Sequence, residues 1–151
     1  MNALLVIGYG NTLRRDDGAG PRVAEAVGAL NLPGVSVHTC HQLTPELADV
    51  ISGSQAVAFV DAAVDVAEVK LQEIQPREDG RILAHATDPR SLLGLAGQLF
   101  GDAPRAWTLA IPAEDFGFGD EMSQRTTAAC QTAVDEIQTL VQTVQSGRPS
   151  K

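Results

Sequence analysis

Three features of the sequence predict an α/β sandwich on a mostly parallel, twisted sheet. Apolar runs alternate with helical stretches, several of the runs are continuous enough to be buried on both faces, and neither repeat nor linker interrupts the pattern. The 151 residues fall within the roughly 100–200 expected of one domain. A domain of about 150 residues buries roughly 70% of its unfolded surface, so its core can stabilise the fold without disulfides or a structural metal. Residues 1–145 are read as this domain and 146–151 as a flexible tail.

The first strand is the apolar run Ala3-Leu4-Leu5-Val6-Ile7-Gly8-Tyr9. A Gly- and Asp-rich turn follows. A helix over Pro21–Leu30 then sets Val23, Ala26, Val27 and Leu30 at helical spacing, with Pro21 suited to its first turn. Pro33-Gly34 introduces a short β-branched strand over 35–40. Thr44-Pro45-Glu46 predicts a second helix with Thr44 as N-cap and Pro45 at its first position. Ala56–Val60 reads as a buried strand ending in Asp61. The run Val69–Ile74 reads as a strand reached by a connection too short for a helix, hence antiparallel to the others. Asp88-Pro89 caps and opens a helix through Leu99. Trp107–Ile111 forms the last strand, stopped by Pro112. A closing helix runs from Met122 to about Val144, with Ala129, Ala133, Ile137, Leu140 and Val144 on one stripe.

Composition removes several classes of function. Nineteen acidic against eleven basic side chains leave a net charge of −8, unlike a nucleic-acid binder or a protein held on anionic lipid. No run approaches the roughly 20 apolar residues of a membrane span. The N-terminal residues lack the basic region of a signal peptide and read directly as a strand. Cys40 and Cys130 lie far apart with no CxxC, which points to a reducing, cytoplasmic setting rather than a disulfide framework or zinc knuckle.

In open α/β sheets, sites form beyond the carboxyl ends of the strands, where strand order reverses. Here the first strand opens into Gly8-Tyr9-Gly10-Asn11-Thr12-Leu13-Arg14-Arg15-Asp16-Asp17-Gly18-Ala19-Gly20, the second into Cys40-His41-Gln42, and the third into Asp61. The nine residues from Pro76 to Ala84 can span up to about 30 Å, enough to bring His85 to the same rim. One rim can therefore gather Asp16 or Asp17, His41, Asp61 and His85. Two carboxylates and an imidazole suit a borderline divalent ion such as nickel or zinc, and equally suit general acid–base work. The plainer alternatives are a tight turn for the glycines and helix-dipole complementation for Asp16-Asp17. Asp61 resists such a reading, since a carboxylate directly after five buried apolar residues is costly to leave unpaired. A dinucleotide fingerprint fails on three counts. Leu13 replaces the third glycine, two carboxylates crowd the would-be pyrophosphate site, and Cys40-His41 stands where a ribose-binding acid belongs.

The segment from Gly8 to Gly20 resembles the N-terminal signature of the hydrogenase maturation proteases, in which a GxGN turn precedes an acidic pair and a second pair of glycines. The resemblance extends through Phe59-Val60-Asp61-Ala62, through His85 ahead of Ser91-Leu92-Leu93-Gly94-Leu95, and through Trp107–Phe116 to the closing helix, nearly the whole chain. It implies a three-layer α/β/α sandwich with a twisted five-stranded sheet and one antiparallel strand. It implies an endopeptidase that removes a C-terminal peptide from the nickel-loaded precursor of a [NiFe] hydrogenase large subunit, nickel arriving with the substrate. Carried over residue by residue, Asp17, Asp61 and His85 are the implied metal ligands and catalytic residues. Gly8, Gly10, Asn11, Asp16, Gly18, His41 and Gln42 are supporting residues. Many members carry an Asp-Gly-Gly-Thr-like loop after the second strand, whereas this chain has Cys40-His41-Gln42-Leu43-Thr44-Pro45-Glu46-Leu47, so His41 or Gln42 is left to meet the substrate or complete the rim. Adjacent Cys40 and His41 diverge in extended chain, which argues against a thiol–imidazole nucleophile. The competing class is a nickel-binding checkpoint protein that holds the immature subunit without cutting it. A generic metal-dependent hydrolase of small substrates is the weaker enzyme alternative, and a monomer is the simplest oligomeric expectation.

Overall fold

The computed structural model describes residues 3–78, 88–101 and 103–147. The first apolar run forms β1 (Leu4–Tyr9), followed by a 3-10 turn at Arg15–Gly18 and α1 (Ala19–Ala29). Then come β2 (Val35–Cys40), α2 (Leu47–Ser52), β3 (Ala56–Ala63), β4 (Lys70–Ile74), α3 (Pro89–Phe100), β5 (Arg105–Pro112) and α4 (Gln124–Ser146). Among the described residues, five strands lie in the order β2-β1-β3-β5-β4, with β4 alone antiparallel, on β5.

Alternation along the strands splits the core in two. Leu4 and Val6 of β1, Ala58 and Val60 of β3, and Trp107 and Leu109 of β5 pack with α1 and α4. Leu5, Ile7, Val57 and Phe59 face the opposite way, against Leu47 and Ile51 of α2 and Leu92 and Leu93 of α3. The result is the three-layer α/β/α sandwich, with the central strands covered on both faces as their unbroken apolar runs require. Close contact between β1 and α1 depends on two glycines. A Cβ at Gly8 would strike the carbonyl of Gly20, and one at Gly20 would strike those of Val60 and Tyr9. Among the described residues, no helix is long and apolar enough to cross a membrane.

Several boundaries differ from the sequence expectation, each for a visible reason. The third strand runs past Asp61 to Ala63, because β5 continues to pair with it through Asp61–Ala110, Ala62–Ile111 and Ala63–Pro112. Pro112 is therefore the last residue of β5. Thr44 does not cap α2: its hydroxyl donates to Glu46, and the helix opens on backbone bonds from Leu47, Ala48 and Asp49 to the carbonyls of residues 44–46. The closing helix starts at Gln124 because the Ser123 side chain accepts the N–H of Thr126 as its cap. Asp88 caps α3 as expected, accepting from Arg90 and Ser91 ahead of Pro89.

Candidate active site

With β1 flanked by β2 on one side and β3 on the other, successive connections leave β1 in opposite directions, which makes the crevice above β1 and β3 the switch point of the sheet. Asp61 stands on β3 at this crevice, and the loop carrying Asp17 rises from the end of β1.

That loop is tightly held. Gly10 adopts φ 144°, a conformation that side chains rarely take, and an added Cβ there would run into the Asp17 carbonyl. The Asn11 N–H donates to Asp17 Oδ2 at 2.8 Å, and Asn11 Oδ1 accepts from the Leu13 N–H at 2.9 Å. Arg15 sits in the left-handed region at φ 47°, secured by its N–H donating to the Gly119 carbonyl at 2.9 Å, while the Gly119 N–H donates to the Leu13 carbonyl. Gly18 packs so closely on Thr12 that a Cβ would lie 2.9 Å from the Thr12 Cα.

The acidic pair divides its work. Asp16 is fully buried (0% exposed) and accepts four hydrogen bonds, from the N–H groups of Glu114, Asp115 and Ser123 and from the Ser123 hydroxyl, at 2.7–2.9 Å. Burial alone would raise its carboxyl, but these donors outweigh it and hold the group down at about 2. Asp16 thus braces the β1–α1 loop against the segment between β5 and α4, and its oxygens are occupied. Asp17 is only half-buried, with the Asn11 N–H as its hydrogen-bond partner among the described residues.

Asp61 is half-buried, and burial pushes its carboxyl up to about 6. The Asp17 charge pushes the same way, against hydrogen bonds from the Ala62 N–H and the Tyr9 hydroxyl. Asp17 and Asp61 are therefore brought together closely enough to feel one another. Among the described residues, neither is in an ion pair. Two carboxylates at one rim are part of a donor set that a divalent ion would suit, and a third ligand completes the minimum for such an ion. The described residues contain no group of three or more His, Cys, Asp or Glu placed to hold a metal. His85, the histidine singled out in the sequence, lies outside the described residues.

His41 and Gln42 are exposed beyond β2. His41 lines an open groove of about 410 Å³ shared with Gly10, Asn11, Leu13, Glu25 and Cys40. Burial raises the Cys40 thiol, which fits a packed side chain rather than a nucleophile. A smaller cavity of about 150 Å³ lies beside Asp61, lined by Tyr9, Phe59, Thr108 and Ala110 among others. Two residues that sequence reasoning did not single out belong to this arrangement: Ser123, which supplies two of the bonds to Asp16, and Tyr9, which shares the cavity with Asp61. The available signal for Tyr9 was its parity with Ile7 at the open end of β1.

No protein-family profile matches the sequence, and no curated relative is matched by it. Solved structures do match. The [NiFe] hydrogenase maturation protease HybD from Thermococcus kodakarensis superposes with a TM-score of 0.72 at 23% identity, covering 93% of this chain and 99% of that one. A hydrogenase 2 maturation peptidase from a Thaumarchaeota archaeon gives 0.69 at 23% identity, covering 91% and 97%. The hydrogenase maturating endopeptidase HybD from E. coli gives 0.69 at 19% identity, covering 94% and 93%. The chain has the fold of the hydrogenase maturation proteases over nearly its full length, and the resemblance read from the Gly8–Gly20 segment extends to three dimensions.

Proposed function

We propose that this protein is an endopeptidase that removes a C-terminal peptide from the nickel-loaded precursor of a [NiFe] hydrogenase large subunit. The observation that carries the reading is the pair Asp17 and Asp61, set at the switch point of a sheet whose fold is that of maturation proteases. Nickel is part of the substrate here, and Asp17 and Asp61, with His85, are the residues that would hold it. When bound, the ion supplies Lewis-acid polarisation of the scissile carbonyl or of an attacking water. Asp16, with its oxygens occupied by four donors, keeps the Asp17 loop in place and moves no proton. Proton transfer falls to Asp61, whose half-buried carboxylate lines a cavity at the end of β3 and is pushed up by burial and by the Asp17 charge. Need for both carboxylates at one rim gives the requirement for nickel a physical basis, since without the ion one anchor between precursor and protein is missing.

The test is intact mass spectrometry of a nickel-loaded large-subunit precursor incubated with the protein, against a nickel-free control. Loss of a C-terminal peptide only with nickel is the expected result. A stable complex of unchanged mass would point instead to the checkpoint protein, and an unchanged mass without a complex would overturn the reading.

A further inference from the structure

Tyr9 is the single tyrosine of the chain and ends β1 beside Asp61. The parallel register Ile7–Phe59 and Gly8–Val60 sets the next pair, Tyr9 and Asp61, level on adjacent strands. Strands lie about 4.8 Å apart and side chains alternate, so both point to the face that carries Ile7 and Phe59. Both also line the cavity of about 150 Å³, whose other walls are largely apolar, with Phe59 and Ala110 among them. In such surroundings a phenol hydroxyl seeks a partner, and the Asp61 carboxylate lines the same cavity. A carboxylate has about four lone-pair sites, and fixing some of them fixes the direction of the rest.

We infer that Tyr9 is a positioning residue for Asp61: its hydroxyl, held on the carboxylate at the open end of the sheet, sets the direction in which Asp61 presents its remaining lone pairs to substrate. The role rests on the peptidase reading above. Tyr9 acts through Asp61 and need not touch the substrate itself.

One tyrosine gives a site-specific probe. Protein labelled with ¹³Cζ-tyrosine yields a single resonance, to be compared at one neutral pH in the wild type and in Asp61→Asn. In parallel, single-turnover cleavage of the nickel-loaded precursor is measured for the wild type and for Tyr9→Phe, which keeps the ring and removes only the hydroxyl. The resonance is expected to move in Asp61→Asn. Tyr9→Phe is expected to cut at a rate lower by about ten- to a hundredfold, with the half-saturating precursor concentration and the melting temperature unchanged. A resonance that stays in place overturns the hydrogen bond and the proposal. Full-rate cleavage by Tyr9→Phe, or a loss that tracks a fall in melting temperature, overturns the positioning role. A wild type that cuts nothing overturns the peptidase reading, and the role of Tyr9 with it, whatever the resonance does.

Discussion

The two loops that leave the carboxyl edge of β1 and β2 are built on opposite plans. The β1–α1 loop is tied at nearly every residue: to itself through Asn11, to the segment after β5 through Asp16 and the Gly119 ladder, and through Arg14, whose side chain donates to the Phe116 carbonyl. Among the described residues the β2–α2 loop is tied to other segments by the Cys40 carbonyl accepting the Gly10 N–H at 3.1 Å and by the buried Leu43; its other bonds are local, from Thr44 to Glu46 and into the first turn of α2, while His41 and Gln42 stand in solvent. One loop is organised before any ligand arrives, as a site that must hold a carboxylate in place requires. The other offers polar groups on a light tether.

The sharpest way to test this division is Asp17→Asn. An amide can still accept the Asn11 N–H, so stability measured by urea unfolding should stay within about 1 kcal/mol of the wild type. Precursor cleavage should fall by about 10³-fold. Substantial cleavage by this variant would remove Asp17 from the site.

Its neighbour should behave in the reverse sense. Asp16→Asn places an amide N–H among groups that are all donors, and it should cost about 3 kcal/mol in urea unfolding at neutral pH. The pH dependence follows from the carboxyl being held down at about 2. A depressed pKa contributes stability above the unfolded value, near 3.8, and that stability is lost as pH falls from there towards 2. Over that window Asp16 should account for a loss of about 2 kcal/mol in the wild type that Asp16→Asn does not show. Gly10→Ala comes next. Its forced φ and the collision with the Asp17 carbonyl should cost about 2 kcal/mol and slow cleavage by displacing Asp17. Unfolding and cleavage measured on the same preparation would show whether the two losses travel together.

These contrasts also mark what the sequence could disclose. Continuous apolar runs announced β1 and β3, and Asp88-Pro89 announced α3, because burial and capping are written in neighbouring residues. The rule for switch points places the crevice from the order of strands and turns alone. The different fates of Asp16 and Asp17 were not legible. They are adjacent in the chain, and the segment that claims Asp16 lies about a hundred residues later, at Glu114, Asp115 and Ser123. Thr44 misled for a related reason: its signature is that of a cap, but Glu46 takes the hydroxyl and the backbone makes the turn. The extension of β3 beyond Asp61 likewise depends on β5, a partner that no local pattern in Ala56–Asp61 reveals.

The smallest effects should come from the lightly tethered loop. His41→Ala and Gln42→Ala remove exposed side chains that make no hydrogen bond among the described residues, so unfolding free energies should lie within about 0.5 kcal/mol of the wild type. Since His41 borders the groove with Asn11 and Glu25, the expected effect is on recognition. The precursor concentration for half-maximal cleavage should rise about threefold, and the rate at saturation should hold. Steady-state kinetics on both variants separates the two quantities. A fall in the saturated rate comparable to that of Asp17→Asn would mean that the β2–α2 loop reaches the reacting groups, and that the contrast between a braced catalytic loop and a loose recognition loop does not hold.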